Sequence, residues 1–177
     1  QSAALDVLVR HCSSRFIATL NYDLSVERTA KRLGLPVRSL TCSPEGLREA
    51  HDTLRRGPCE NDPLTILHFH GIATEPATIV LDSQGYEGLV TSAHATNVLY
   101  ALVYFRTLLF LGTTLNEEYF VAELQRRPGR GPHVLLCTEA ERPDLTCGRL
   151  ALSLERHGIH IGTVDQHDDL PAVLRSL

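Results

Sequence analysis

Three short apolar runs, each ending in a polar cluster, constrain this chain more than any other feature. Phe16-Ile17-Ala18 leads into Thr19-Leu20-Asn21-Tyr22-Asp23. Leu64-Thr65-Ile66-Leu67 leads into His68-Phe69-His70-Gly71, and Leu108-Leu109-Phe110-Leu111 into Gly112-Thr113-Thr114-Leu115. Runs of this length bounded by turn residues suit buried strands. As parallel strands of one sheet, they would bring all three clusters to its carboxyl edge, where open α/β sheets bind ligands.

Helical spacing fills the intervals. The pattern predicts helices over 3–11, 24–33, 92–105, 116–127, 150–157 and 169–177, and a further one opened by Ser43-Pro44 and running to Arg55. Strands are expected over 16–20, 37–40, 64–69, 78–81, 108–111, 133–137 and 159–164, with a turn-rich link at 83–88 and a surface loop at Pro128–Pro132. Strands alternating with helices define an α/β class: a Rossmann-like, doubly wound, mainly parallel sheet with helices on both faces. No repeat or internal boundary divides residues 1–177, so one domain is expected.

Composition narrows the function classes. A net charge of −4 gives no support for nucleic acid as a partner. The longest apolar stretch, Val98 to Gly112, is interrupted by Tyr104 and Arg106 and is too short to span a bilayer. Five scattered Cys without a CxxC pair read as reduced thiols in the cytoplasm, and neither they nor the His have zinc-ligand spacing, so no metal is expected.

Each cluster admits a chemical and a plain reading. Asn21 and Asp23 suit an amide-bearing ligand, since a carboxamide and a carboxylate offer complementary donors and acceptors; equally, Asn21 starts a turn and Asp23 caps the next helix. His70 suits a general base near neutral pH, or a structural His at a strand end. Gly112, Thr113 and Thr114 offer backbone N–H groups and hydroxyls to a phosphate or ribose. There is no GxSxG, Walker or GxGxxG motif.

Taken in order, the clusters resemble the sirtuin-like family. Thr19 to Asp23 looks like its Thr-x-Asn-x-Asp element, His70-Gly71 its catalytic His-Gly, and Gly112 to Leu115 its Gly-Thr-Ser-Leu element. Ile79-Val80-Leu81 followed by Tyr86 is similar to a stretch of the bacterial sirtuin-like branch, which contains NAD-cleaving effectors of antiphage defence. The resemblance implies NAD binding and cleavage of the nicotinamide–ribose bond. Asn21 would position the ribose or a water, Asp23 would contact the nicotinamide carboxamide, and His70 would be the base. Gly112, Thr113 and Thr114 would lie near the adenosine-side ribose and phosphates, with Thr138 or Glu139 reaching the adenine ribose.

The departures sharpen the expectation. Gly71 to Leu108 contains no Cys, so the four-Cys zinc module of the family's deacylases is lacking, which favours an NAD hydrolase. Residues 1–15 contain no Gly, so the domain is expected to lack its N-terminal glycine-rich strand–loop segment. Where relatives often place an Asp after the glycine turn, Leu115-Asn116-Glu117 stands here. The expected function is an NADase effector domain of a larger defence-type protein, self-associating through neighbouring domains. The alternative is a non-catalytic sensor of NAD or ADP-ribose, or an assembly domain, on the same fold.

Overall fold

The structure, a computed structural model, describes residues 2–12, 14–59, 61–81, 83–113, 132–142, 154 and 158–176. The chain divides into two compact units, Gln1–Val98 with Pro171–Leu177, and Leu99–Leu170.

The first unit is built on β1 (Phe16–Thr19), β2 (Val37–Thr41) and β3 (Leu64–His68), in the parallel order β1-β3-β2. All five residues of the central strand β3 are buried, the polar Thr65 and His68 along with Leu64, Ile66 and Leu67. On one face, Leu64 and Ile66 pack with Val9 of α1 (Ala3–His11) and Ala30 of α2 (Ser25–Arg32). Leu5, Ile17 and Val26 close the edges of that cluster. Each Leu or Ile fully buried this way contributes about 1.5–3 kcal/mol. An ion pair between Arg32 and Asp6 joins the two helices at the surface.

The opposite face meets α3 (Pro44–Arg56), which buries Leu47, Ala50 and Leu54. There Arg38 of β2 pairs with Glu49 and reaches Thr65 of β3 at 3.2 Å and Thr53 of α3 at 3.4 Å. Helices thus cover both faces of this sheet, as the alternation predicts. The predicted start of α3 is also found: the Ser43 hydroxyl accepts the Gly46 N–H at 3.1 Å, with Pro44 in the first turn. Gly46 lets the helix sit against the strand end, since a Cβ there would lie 2.3 Å from the Thr41 carbonyl oxygen.

After β3 the chain forms a 3-10 turn at Pro76–Thr78, then α4 (Ser83–Thr91) and α5 (Ala93–Phe105). Two expectations are corrected here. Residues 78–81 form no strand: the Thr78 and Ile79 N–H groups close the 3-10 turn on Glu75 and Pro76, and Val80 is held by the neighbouring loops described below. The link at 83–88 is helical: Gly88 is exposed with open space about its Cα, so it costs the helix only about 0.5–1 kcal/mol relative to Ala.

The second unit holds β4 (Leu109–Leu111), β5 (His133–Thr138) and β6 (Ile159–Val164), parallel in the order β4-β5-β6. Val103, Leu135, Cys137, Leu154 and Ile159 form its core, with Phe110 and Ile161 packed against it. His133 is fully buried at the start of β5; its Nδ1 accepts the Leu108 N–H at 3.2 Å. The described strands therefore pair as two three-stranded parallel sheets. A last helix, α6 (Leu170–Ser176), ends the chain. The helices predicted over 116–127 and 150–157 lie outside the described residues, apart from the buried, helical Leu154, as does all of the 128–132 loop but Pro132.

Candidate active site

The register of the first sheet sets the site. Thr19 of β1 and Thr41 of β2 both lie level with His68 of β3. The chain leaves this common edge as Leu20-Asn21-Tyr22-Asp23 from β1 and as Phe69-His70-Gly71 from β3. Asn21 and His70 thus follow adjacent, hydrogen-bonded strands, as the sequence pattern requires.

The two loops are tied to each other. The Phe69 N–H donates to the Thr19 carbonyl at 2.9 Å, and the Ala73 N–H to the Tyr22 carbonyl at 2.8 Å. The Tyr22 hydroxyl donates to the Val80 carbonyl at 3.1 Å, and the Val80 N–H to the His70 carbonyl at 2.9 Å. These bonds occupy Val80 without a sheet partner. The Tyr22 and His70 rings lie 6.2 Å apart, tilted by 38°. Gly71 has φ +89°, and a Cβ would fall 2.2 Å from the Thr78 carbonyl oxygen. Only glycine lets the chain turn here with the 3-10 segment so close.

Asn21 and Asp23 are exposed, and His70 is buried. The Asp23 carboxylate accepts the N–H of Ser25, the first residue of α2, at 2.8 Å, although Leu24 rather than Asp23 is that helix's N-cap. Hydrogen bonding at Ser25 holds its pKa below the ordinary carboxylate value, which keeps the exposed group charged near neutral pH. Cys42 follows β2 on the same edge, but burial pushes its thiol up to about 12. It stays protonated and is a poor nucleophile.

A pair that the sequence reading missed lies beneath this edge. His68 is fully buried, with Nε2 2.7 Å from Glu27 Oε1 and Nδ1 3.1 Å from the Asn21 carbonyl oxygen. The Ser39 hydroxyl donates to the same Glu27 oxygen at 2.7 Å. Burial is the largest single effect and opposes charge on both groups, but their mutual hydrogen bond, the further bonds to Asn21 and Ser39 and the opposite charges together outweigh it: the His68 pKa is raised and that of Glu27 lowered. The available signal was a His inside an otherwise apolar strand, since a buried imidazole needs partners. Nothing in the spacing pointed to Glu27 as that partner.

The other expected residues lie on the carboxyl edge of the second sheet. Leu111 is level with Leu136, so Gly112 and Thr113 leave β4 beside the end of β5. Gly112 is exposed with φ +61°. Thr138 and Glu141 form a reciprocal cap: the Thr138 N–H donates to the Glu141 carboxylate at 2.8 Å, and the Glu141 N–H to the Thr138 hydroxyl at 3.3 Å. Glu139 accepts the Thr163 hydroxyl. Thr114 lies outside the described residues.

A shallow depression in the first unit, lined by Leu24, Glu27, Lys31, Leu35 and Val37, includes none of the expected site residues but does reach Glu27. Among the described residues, no group of three or more His, Cys, Asp or Glu is placed to hold a metal ion. No described helix is long and apolar enough to cross a membrane.

Parallel strands between helices, with polar loops gathered at carboxyl ends, define a Rossmann-like α/β protein of the nucleotide-binding kind. More specifically, residues 15–159 match the model of the SIR2-like domain, and the chain belongs to that family. SIR2-like domains are an NAD-binding fold family, and they are often NAD-dependent enzymes.

Proposed function

We propose that this domain binds NAD and hydrolyses its nicotinamide–ribose bond, as the effector part of a defence-type protein of the bacterial sirtuin-like branch. The observation that carries the reading is the joining of the Asn21 and His70 loops at one sheet edge, through Thr19, Tyr22 and Val80. The donor set fits the ligand: an exposed carboxamide and an ionised carboxylate stand two residues apart, complementary to an amide.

In this reading Asp23 contacts the nicotinamide carboxamide and Asn21 orients the ribose or the attacking water. His70 takes the proton from that water as its oxygen bonds to the ribose carbon. The carbon–nitrogen bond breaks with its electron pair leaving on nicotinamide. Positive charge grows on the ribose as the bond breaks, and the polar groups of Asn21 and Asp23 stabilise it electrostatically. The same reading, on resemblance alone, assigns Gly112, Thr113 and Thr114 to the adenosine-side ribose and phosphates, and Thr138 or Glu139 to the adenine ribose.

The test is nicotinamide release from NAD by the parent, Asn21→Ala and His70→Ala proteins, with calorimetry on NAD and ADP-ribose. Turnover in the parent that falls about a hundredfold or more in His70→Ala, the scale of a lost general base, supports hydrolysis. Tight binding without turnover would mean a sensor instead. Neither binding nor turnover would remove NAD from the account.

A further inference from the structure

We propose that His68 and Glu27 are a positioning pair that fixes the backbone of the Asn21–Asp23 turn. The inference deepens the reading above, in which that turn contacts NAD. Both main-chain groups of Asn21 are held: its N–H donates to the Thr19 hydroxyl at 3.1 Å, and its carbonyl accepts from His68 Nδ1 at 3.1 Å. Only the carboxamide is left to be presented at the exposed edge.

The clamp draws on four parts of the first unit: the loop after β1, Glu27 of α2, Ser39 of β2 and His68 of β3. Both imidazole nitrogens face acceptors, a carboxylate and a carbonyl, so both carry protons and the ring is an imidazolium. The charged groups acting on it are Glu27 from α2 and Asp23 from the turn itself. Glu27 Oε1 takes two hydrogen bonds while Oε2 is buried without a partner among the described residues. The ion pair therefore rests on one oxygen, and once His68 loses a proton the Glu27 carboxylate and the Asn21 carbonyl compete for the one N–H that remains.

The role is positioning rather than catalytic, because neither side chain stands at the exposed edge that carries Asn21 and Asp23: His68 is fully buried, and Glu27, 13% exposed, lines the depression beside Leu24 and Lys31. Glu27→Gln is the informative variant, since it keeps shape and removes the charge that holds the proton on His68. Nuclear magnetic resonance should follow the His68 ring nitrogens and the Asn21, Tyr22 and Asp23 amides from mild acid to mild alkali. The three amides should titrate with the His68 midpoint, and that midpoint should fall in Glu27→Gln. The variant's NAD affinity should fall about tenfold, the scale of one lost charge-assisted hydrogen bond. The alkaline limb of its nicotinamide-release profile should move to lower pH.

Amides that stay fixed while His68 titrates would overturn the proposal. So would a lowered His68 midpoint with NAD affinity and pH profile unchanged. If the parent neither binds nor cleaves NAD, the NAD reading fails by itself, and the amide titration still decides whether His68 governs the turn.

Discussion

Tyr22 and Val80 are joined across two loops by a hydrogen bond of 3.1 Å from phenol to carbonyl. This bond fastens the segment after the 3-10 turn to the loop that carries Asn21. Tyr22→Phe keeps the ring and removes the donor. It should destabilise the protein by about 1 kcal/mol, the net worth of a typical intramolecular hydrogen bond. A urea titration of parent and variant measures this, and equal midpoints would show that water replaces the contact without loss.

Gly71→Ala should be far more damaging. The left-handed backbone alone costs on the order of 1–3 kcal/mol for a side-chain-bearing residue. The added Cβ would also meet main-chain atoms of Thr78, which cannot swing aside as a side chain would. Thermal unfolding should show a drop of several degrees or loss of the cooperative transition. A Gly71→Ala protein as stable as the parent would mean that the turn reforms in another geometry.

The His68–Glu27 pair gives stability a defined pH window. The His68 pKa is raised above 6.5, so its contribution is fully present below 6.5 and is lost as pH rises through the folded value. The Glu27 pKa is lowered below 4.5, so its contribution is present above 4.5 and is lost as pH falls through the folded value. The pair should stabilise most between 4.5 and 6.5. Urea midpoints across pH should show less alkaline decline in Glu27→Gln than in the parent.

His133 should act in the opposite sense. Burial lowers its pKa from 6.5, and its Nε2 has no hydrogen-bond partner among the described residues. The unfolded chain then binds more protons than the folded one as pH falls below 6.5, so stability declines with acid. His133→Asn keeps an acceptor for the Leu108 N–H and removes the titration. It should flatten the acid limb in urea unfolding, and an unchanged limb would assign that limb to other groups.

Much of the first unit could be read from residue patterns, because those patterns are local. Ser43-Pro44 marks the start of α3, and the Leu64–Leu67 run is the buried central strand. Less local features misled. The β-branched stretch at 78–81 looks like a strand, but Tyr22 and His70 engage Val80 first. Gly85 and Gly88 look like turn residues, yet Gly88 sits at an exposed helix position where its cost is small. At the site, the order of the clusters put the Asn21 and His70 loops on one sheet edge, as found, but the expected sharing of that edge by all three clusters does not hold, since Gly112 and Thr113 follow a strand of the second sheet. Glu27 stayed hidden because its pairing with His68 spans 41 residues and depends on how α2 lies on the sheet.

The pairing of β1 with β3 has a further consequence. Thr19 stands opposite His68, so the offset between the Asn21 and His70 loops is counted out along two strands. A side-chain replacement leaves that count alone. Deleting a single residue from either strand would shift one loop by about 3.3 Å and turn the strand's inward residues outward. The two loops are thus kept in step by chain length, and any insertion or deletion that preserves their relation has to fall outside β1 and β3.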